Sequence, residues 1–355
     1  MSELKVIEED VSEVIDRCPS VKNLEGDSIL ITGANGMLAS YMAHTVLWLN
    51  RHFFSKPCNV YVLGRSEERL KKKFDYAGNV DYLHFLIQDV IEPLSESCKE
   101  LGYIVHAASP ASPRAYSSDP ISTIRCNTLA TDRLLDFAYR KKVKGFLFFS
   151  SAAVYGETGD DNIPTPETFK GRVDTLGKRS CYAESKRLGE TFCCNYWTHY
   201  GVPAKIVRPS HTYGIGMDLN DGRVFSDFIG NGLKGKTIKV KSDGQTRRTF
   251  CYIADANTAF WKVLLEGNPG EAYNAGNDKT EISILQFAEA VSKLFNVNVE
   301  HSSHGRTAIN KNSSCVVQRR LLDMSKIRKL GFQPLYDVPA GLKRLLIARP
   351  PSSKA

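Results

Sequence analysis

No apolar run in this 355-residue chain approaches the length needed to cross a bilayer, and the acidic N-terminus lacks the charged-then-apolar pattern of a secretory signal. A membrane protein is not expected, and a cytoplasmic location follows as the default. Nine cysteines are scattered, with Cys193 and Cys194 adjacent, but no CxxC pair occurs. That argues against zinc and disulfide frameworks, so no metal site is expected and the thiols read as reduced. The net charge of +8 includes basic clusters at 71–73 and 140–144, yet neither is interleaved with aromatics as a base-stacking surface would be. Nucleic acid is therefore not an expected partner, and attraction for an anionic small molecule accounts for the excess. Internal repeats are absent, and the tail 350–355 reads as frayed.

What is present begins at residue 28. Ser28-Ile-Leu-Ile-Thr-Gly-Ala-Asn-Gly-Met-Leu reads as a short apolar strand, a glycine turn and the start of a helix. Gly33 permits the tight turn, Gly36 lets the backbone approach a pyrophosphate at the helix N-terminus, and Ala39 is the small residue that packs helix on strand. A second strand at 59–63 follows at βαβ spacing, and a third apolar run ends at Leu86-Ile87-Gln88-Asp89-Val90. With 42% hydrophobic residues, the alternation of apolar runs and helical segments predicts an α/β protein built on a doubly wound parallel sheet. The second strand ends in Gly64-Arg65-Ser66, where an NAD-binding fold usually places a carboxylate for the ribose 2′-hydroxyl. Arg65 and Ser66 suit a 2′-phosphate instead, so the expected cofactor is NAD(P) with a lean towards NADP. An arginine also stacks on adenine without any phosphate, which keeps NAD open.

Tyr182 and Lys186 lie four residues apart in Cys181-Tyr-Ala-Glu-Ser-Lys, and on a helix they share one face. An ammonium group held near a phenol, whose pKa is ordinarily about 10, favours the phenolate and turns tyrosine into a base. Among 15 tyrosines and 47 Lys and Arg residues such a spacing also arises by accident. The company it keeps gives it weight. His106-Ala-Ala-Ser-Pro-Ala-Ser-Pro, Ser150-Ser-Ala-Ala-Val-Tyr-Gly, Asp221-Gly-Arg-Val, Gln245-Thr-Arg-Arg-Thr-Phe and Tyr273-Asn-Ala-Gly-Asn succeed the glycine turn in order.

From about residue 28 to about residue 345 the chain resembles an extended short-chain dehydrogenase/reductase of the nucleotide-sugar epimerase/dehydratase kind, most similar to the UDP-glucuronate decarboxylase branch. The resemblance implies a Rossmann-type domain over 27–209 and 250–275, a smaller substrate lobe over 210–249 and 276–349, and an extension of unassigned role over 1–26. It makes Ser151 the hydroxyl that positions a sugar oxygen, Tyr182 the base and Lys186 the residue that holds the nicotinamide ribose. Gly33, Asn35, Gly36, Met37, Leu38, Arg65, Ser66, Asp89, Val90, Ala107, Ala108, Ser109, Pro209 and His211 would join Tyr182 and Lys186 around the cofactor. Ser109, Tyr116, Ser151, His211, Arg223, Val224, Arg248 and Arg320 would contact a nucleotide-diphosphate sugar, with Arg248 and Arg320 as planar cationic forks on the diphosphate. His211 stands where relatives usually carry asparagine, as either a specificity residue or an ordinary loop histidine. A homodimer is implied through the helix after Asn127 and the helix bearing Tyr182. Leu134, Leu135, Ala138, Leu188 and Phe192 would supply either dimer contacts or core.

One departure narrows the chemistry. Decarboxylases and dehydratases of this family carry an acidic residue just before Val-Tyr-Gly, and here Ala152 and Ala153 stand there. Alanine moves no proton, so elimination lacks its acid and base unless Glu157, Asp160, Asp161 or Glu184 reaches in. What remains is reversible oxidation at a sugar carbon, as in 4-epimerisation, dehydrogenation or 4-keto-sugar reduction. Decarboxylation and 4,6-dehydration are the alternatives within the family. A non-catalytic dinucleotide-binding module is the alternative outside it, and it gives no reason to keep Ser151, Tyr182 and Lys186 together.

Overall fold

The computed structural model describes residues 2–94, 98, 100–177, 180–301 and 319–349. The tail at 350–355, and the part of the expected substrate lobe at 302–318, lie outside the described residues. Helix α1 (Glu3–Arg17) opens the chain, its N-terminus capped by the Ser2 hydroxyl. Strands β1 (Ser28–Thr32), β2 (Asn59–Gly64), β3 (Leu83–Ile87), β4 (Tyr103–His106), β5 (Gly145–Phe149) and β6 (Ala204–Pro209) alternate with helices. Those helices are α2 (Met37–His52), α3 (Glu67–Phe74), α4 (Pro113–Ser118), α5 (Pro120–Asn127), α6 (Leu129–Lys141) and α7 (Ser180–Tyr200). Beyond them come β7 (His211–Tyr213), α8 (Val224–Leu233), β8 (Ile238–Val240), β9 (Arg247–Tyr252), α9 (Ile253–Glu266) and β10 (Ala272–Ala275). The last elements are β11 (Glu281–Ser283), α10 (Ile284–Phe295), β12 (Val299–His301), β13 (Arg319–Arg320), α11 (Ser325–Arg328) and α12 (Val338–Ala348).

The main sheet is seven-stranded and parallel, in the order β10-β6-β5-β4-β1-β2-β3, with helices on both faces. This is a Rossmann-type α/β fold. Strands β1 and β5 are buried at every position, which is why Ser-Ile-Leu-Ile-Thr and Gly-Phe-Leu-Phe-Phe read as unbroken runs rather than alternating ones. β1 is flanked by β2 on one side and β4 on the other, so the winding reverses there and a crevice opens at the carboxyl ends of the strands.

A smaller sheet centres on β9, which pairs with β7, β11 and β13. Its register gathers polar residues from three distant segments. β13 sets Arg320 beside Arg248, and β7 sets His211 beside Phe250. Leu134, Leu135 and Ala138 are at most 2% exposed and pack in the core, so they are unavailable to a partner. Phe192 packs against the same cluster, whereas Leu188 is 46% exposed.

The N-terminal extension is tied into the fold by an apolar face and by several ion pairs, one of which centres on a buried carboxylate. Asp10 of α1 is fully buried, pairs with Arg344 of α12 and accepts hydrogen bonds from Tyr252 (2.7 Å) and Tyr41 (3.1 Å). Tyr41 belongs to α2, so the carboxylate joins α1 to the helix behind the glycine turn. Burial raises the Asp10 pKa to about 6, against the pull of Arg344 and the two phenols. A folded-state value above the unfolded one means that Asp10 detracts from stability as pH rises from about 4 to about 6. Arg344→Ala leaves that charge unpaired and should lower stability by about 3 kcal/mol at pH 7 in urea titrations. The deficit should shrink at pH 5, where Asp10 takes up a proton, and a loss that does not depend on pH would refute this account.

Candidate active site

A cleft of about 1410 Å³ runs along the carboxyl ends of the strands from the Gly33 turn, past Ser151, Tyr182 and Lys186, to Arg223, Arg248 and Arg320. At its first end Gly33 has φ +70°, and a Cβ there would lie 2.7 Å from the Ala108 Cα, so both conformation and close approach require glycine. Gly36 is the N-cap of α2, and no side chain caps that end. The helix therefore presents its first N–H groups and positive dipole end to the cleft. The Asn35 Oδ1 and Ser109 Oγ atoms beside it are buried without a partner. A glycine cradle, an uncapped helix and the free Ser109 hydroxyl together fit a dinucleotide diphosphate, while the Asn35 oxygen suits a donor such as a ribose hydroxyl.

The turn is held from behind by His106. Its Nε2 bonds to the Cys126 carbonyl at 3.1 Å and its Nδ1 meets the Thr32 hydroxyl at 3.0 Å. Burial lowers the His106 pKa to about 3, so the ring is neutral, with its proton on Nε2 and Thr32 donating to Nδ1. The Thr32 oxygen in turn accepts the Ala108 N–H at 3.2 Å, which fixes the backbone that faces Gly33.

Asn35, Gly36, Met37, Leu38, Ala107, Ser109, Pro209 and His211 line the cleft with Gly33, Tyr182 and Lys186. Arg65, Ser66, Asp89, Val90 and Ala108 do not line it. Arg65 is exposed and faces the Asp89 carboxylate at 3.8 Å, while the Ser66 hydroxyl caps α3 by accepting the Arg69 N–H. Val90 is buried.

At the centre, the Ser151 hydroxyl accepts the Ala153 N–H at 3.1 Å and stands beside the Tyr182 phenol, near enough to lower its pKa. Tyr182 stacks on Tyr116 with ring centroids 5.2 Å apart and planes 18° from parallel. Burial raises the phenol above its ordinary pKa, and the Ser151 hydroxyl works against that rise. The Lys186 Nζ donates to the Phe149 carbonyl at 2.6 Å and lies 5.9 Å from the Tyr182 ring centroid. Burial lowers Lys186 to about 7, so the ammonium expected to favour the phenolate is itself half protonated at neutral pH. The groups that lower the phenol in this structure are Ser151 and, after it, Arg223.

The far end is cationic. Arg223 sits 4.9 Å over the Phe225 ring and is held by Asp221, which also accepts its backbone N–H. Arg248 and Arg320 converge through the β9–β13 register, with Arg320 donating to the Gly156 carbonyl at 3.5 Å while its buried Nε has no partner. Burial and the neighbouring Arg320 lower Arg248 to about 10. His211 lies between Phe225 and Phe250, with centroids 6.0 and 6.1 Å away. Burial first, then the three guanidinium charges, depress His211 to about 3, so it serves as a neutral donor or acceptor.

Tyr116 and Val224 also line the cleft, as do Ala152 and Ala153. Glu157, Asp160, Asp161 and Glu184 do not. The carboxylates found there are Asp218 and Asp221, on the segment leading into α8, and Asp227 in its first turn. Two further residues were missed by motif reading. Glu190 lies one turn beyond Lys186, and Arg208 interrupts the apolar strand β6; they form a half-buried bidentate pair behind Ser150. A permanent charge inside a strand of a covered sheet was the signal for them.

Residues 29–276 match the model of the NAD dependent epimerase/dehydratase family. The chain belongs to that family. It is 34% identical over 316 residues to UDP-glucuronic acid decarboxylase 3 of Arabidopsis thaliana, covering 88% of this chain and 86% of the relative. It is 32% identical to UDP-glucuronic acid decarboxylase 1 of Xenopus tropicalis, covering 90% and 71%. Among solved structures it superposes on UDP-glucuronic acid 4-epimerase from Bacillus cereus, in complex with UDP-glucuronic acid and NAD, with a TM-score of 0.71 at 22% identity, covering 90% of this chain and 98% of that one. A dTDP-glucose 4,6-dehydratase from Bacillus anthracis in complex with NAD gives a TM-score of 0.73 at 19% identity, with coverage of 91% and 96%. Both superpositions speak for the fold. No described helix is long and apolar enough to cross a membrane, and no metal-binding cluster occurs among the described residues.

Proposed function

We propose that this family member oxidises a hydroxyl of a nucleotide-diphosphate sugar reversibly, at C4, and completes either 4-epimerisation or a net dehydrogenation or 4-keto-sugar reduction. The observation that carries the reading is a Ser151–Tyr182–Lys186 set beside a wall of methyl groups at Ala152 and Ala153, with a cationic end at Arg223, Arg248 and Arg320. Bound at the Gly33 turn, a nicotinamide dinucleotide supplies the hydride acceptor and donor. Tyr182 takes the proton of the sugar hydroxyl, Ser151 orients that oxygen and steadies the phenolate, and Lys186 holds a ribose hydroxyl. The arginines grip the diphosphate in a partly desolvated end of the cleft, where a guanidinium fork is worth about 1.5–3 kcal/mol per charged hydrogen bond. A second reading, decarboxylation of a nucleotide-linked uronic acid, is favoured by the 34% identity to a decarboxylase over most of both chains.

Incubation with UDP-, GDP-, CDP- and dTDP-sugars, with NMR of the sugars and absorbance of the reduced nicotinamide, separates the readings. Epimerisation changes the sugar without net absorbance, a dehydrogenase or reductase changes absorbance stoichiometrically, and released carbon dioxide or water would overturn the proposal. Tyr182→Phe should retain cofactor binding while turnover falls by about 10²-fold or more. Undiminished turnover would remove Tyr182 as the base.

The cofactor reading within NAD(P) rests on β2, which ends in Gly64-Arg65 with no carboxylate and leaves Arg65 72% exposed in side chain. Such a group suits the 2′-phosphate of NADP. Arg65→Glu should weaken NADP binding by about tenfold relative to NAD in fluorescence titrations, and an unaltered ratio would sink the preference.

For the assembly, the proposal is a homodimer. Ile121, Ile124, Leu129 and Leu188 are between 37% and 56% exposed on neighbouring helices α5, α6 and α7. A contiguous apolar face of this kind is covered when two copies meet. Light scattering after size exclusion should give a dimer, and Leu188→Glu should shift it to monomer; a monomeric parent protein would rule it out.

A further inference from the structure

Phe149, Ser150 and Ser151 are consecutive residues at the end of β5, and each holds a different turn of α7. The Phe149 carbonyl accepts the Lys186 Nζ and the Ser150 hydroxyl donates to the Glu190 carboxylate, while the Ser151 hydroxyl faces the Tyr182 phenol in the same cleft and lowers its pKa. Tyr182, Lys186 and Glu190 are spaced by four and stand on one helical face. Two of these rungs hold groups proposed to act in the reaction. The third, Glu190, does not line the cleft.

Glu190 is fixed from its other side by Arg208. The guanidinium Nε donates to Oε1 at 2.8 Å and Nη2 donates to Oε2 at 2.6 Å, with the side chains 13% and 11% exposed. The remaining Arg208 nitrogen donates to the Tyr155 hydroxyl at 2.9 Å and to the Glu167 carbonyl at 3.0 Å. Tyr155 donates onward to the Asn274 Oδ1 at 2.7 Å, and the Asn274 amide donates to the Asp323 carbonyl at 3.0 Å. Arg320, three residues before Asp323, donates to Gly156 next to Tyr155. A chain of polar contacts thus runs from the face of α7 that carries Tyr182 to the segment just beyond the strand that carries Arg320.

A buried bidentate pair contributes little net stability compared with apolar side chains of the same size. What it supplies is geometry, because both carboxylate oxygens and the guanidinium fork are committed to fixed partners. We propose that Glu190 and Arg208 are positioning residues, which hold α7 and the end of β5 in the register that brings Ser151 onto Tyr182 and Lys186 onto the Phe149 carbonyl. The proposal rests on the reading of Tyr182 as the base. Glu190 acts through Ser150 and its neighbours and touches no ligand. A loss of the Ser150 rung frees the strand end to rotate, and the hydroxyl one residue on loses its aim.

Two substitutions test this. Ser150→Ala cuts one rung and leaves the ion pair intact, while Glu190→Gln keeps the shape and removes the charge. The readout that needs no sugar is ultraviolet difference titration of the Tyr182 phenol with NAD+ present, each variant being compared with the same variant carrying Tyr182→Phe. Both substitutions should raise the phenol midpoint by about one pH unit, the equivalent of one lost hydrogen bond to the phenolate. With a nucleotide sugar that the parent protein turns over, kcat should fall by about tenfold while KM stays within about twofold, since misalignment acts on the reacting atoms and not on the diphosphate grip. A lowered melting temperature with phenol midpoint and kcat unchanged would make the pair merely structural and overturn the proposal. Full turnover in Tyr182→Phe would instead refute the base assignment, whereas the phenol midpoint still reports the register.

Discussion

The junction between the end of β5 and one face of α7 is the constraint on which the site depends. Strand β5 lies near the middle of a covered parallel sheet and cannot shift without disturbing both neighbours, β4 and β6. A helix beside it is free to slide or roll unless something keys it. Three consecutive residues of the strand end do so, by engaging 182, 186 and 190 over about 12 Å of helix. Gly189 completes the fit, because a Cβ there would lie 2.4 Å from the Phe148 ring and 2.8 Å from the Asn127 carbonyl. Close packing of α7 on β5 therefore precedes, physically, the alignment of Ser151 with the phenol.

Burial is what gives the site its electrostatic character. Lys186 is pulled down to about 7, and the Tyr182 phenol is pushed up by the same desolvation, so neither residue is in its ordinary range. The two shifts run in opposite directions, so in the protein alone the phenol keeps its proton, and lowering it to a working base falls to the groups that favour the phenolate. At the other end, three guanidinium groups share a partly desolvated cavity, and burial first, then their charges, depress His211 to about 3. Such a cluster is unfavourable by itself and becomes favourable when a ligand brings negative charge. Asp221 already offsets Arg223, and an anionic ligand would add its charge to that compensation.

Much of the fold was legible in the sequence because parallel strands buried on both faces leave unbroken apolar runs, and the glycine turn between β1 and α2 has a steric signature. Ser151, Tyr182 and Lys186 were legible because they sit in short local motifs that land on one strand end and one helix. The β9–β13 pairing was not, since it joins residues about seventy positions apart through a two-residue strand with no propensity of its own. Neither was the fate of Leu134, Leu135 and Ala138, for an amphipathic helix shows a sequence reader an apolar face without saying what covers it. The Asp10 clamp was hidden for the same reason, because its partners Tyr41, Tyr252 and Arg344 come from three distant elements. Glu190 and Arg208 left a faint trace, a charge pair at positions where the pattern calls for apolar residues.

The wall beside Ser151 decides how far a reaction proceeds once a ketone has formed at the sugar. An acidic residue there would accept a proton from the adjacent carbon or deliver one to a leaving group, whereas Ala152 and Ala153 present methyl groups and Ala152 is 5% exposed. The carboxylates of the cleft lie on the α8 side, and Asp221 is already committed to Arg223. Loss of carbon dioxide from a uronic acid needs no base at the first step, because the ketone accepts the electron pair, but the enolate left behind must be protonated at carbon. On the proposed reading, the titratable hydroxyl next to that position is Tyr182, which is then engaged with the sugar oxygen. An intermediate without a carbon-directed proton donor returns most readily along the path by which it formed. On that reading, the two alanines therefore favour reversal of the oxidation over elimination.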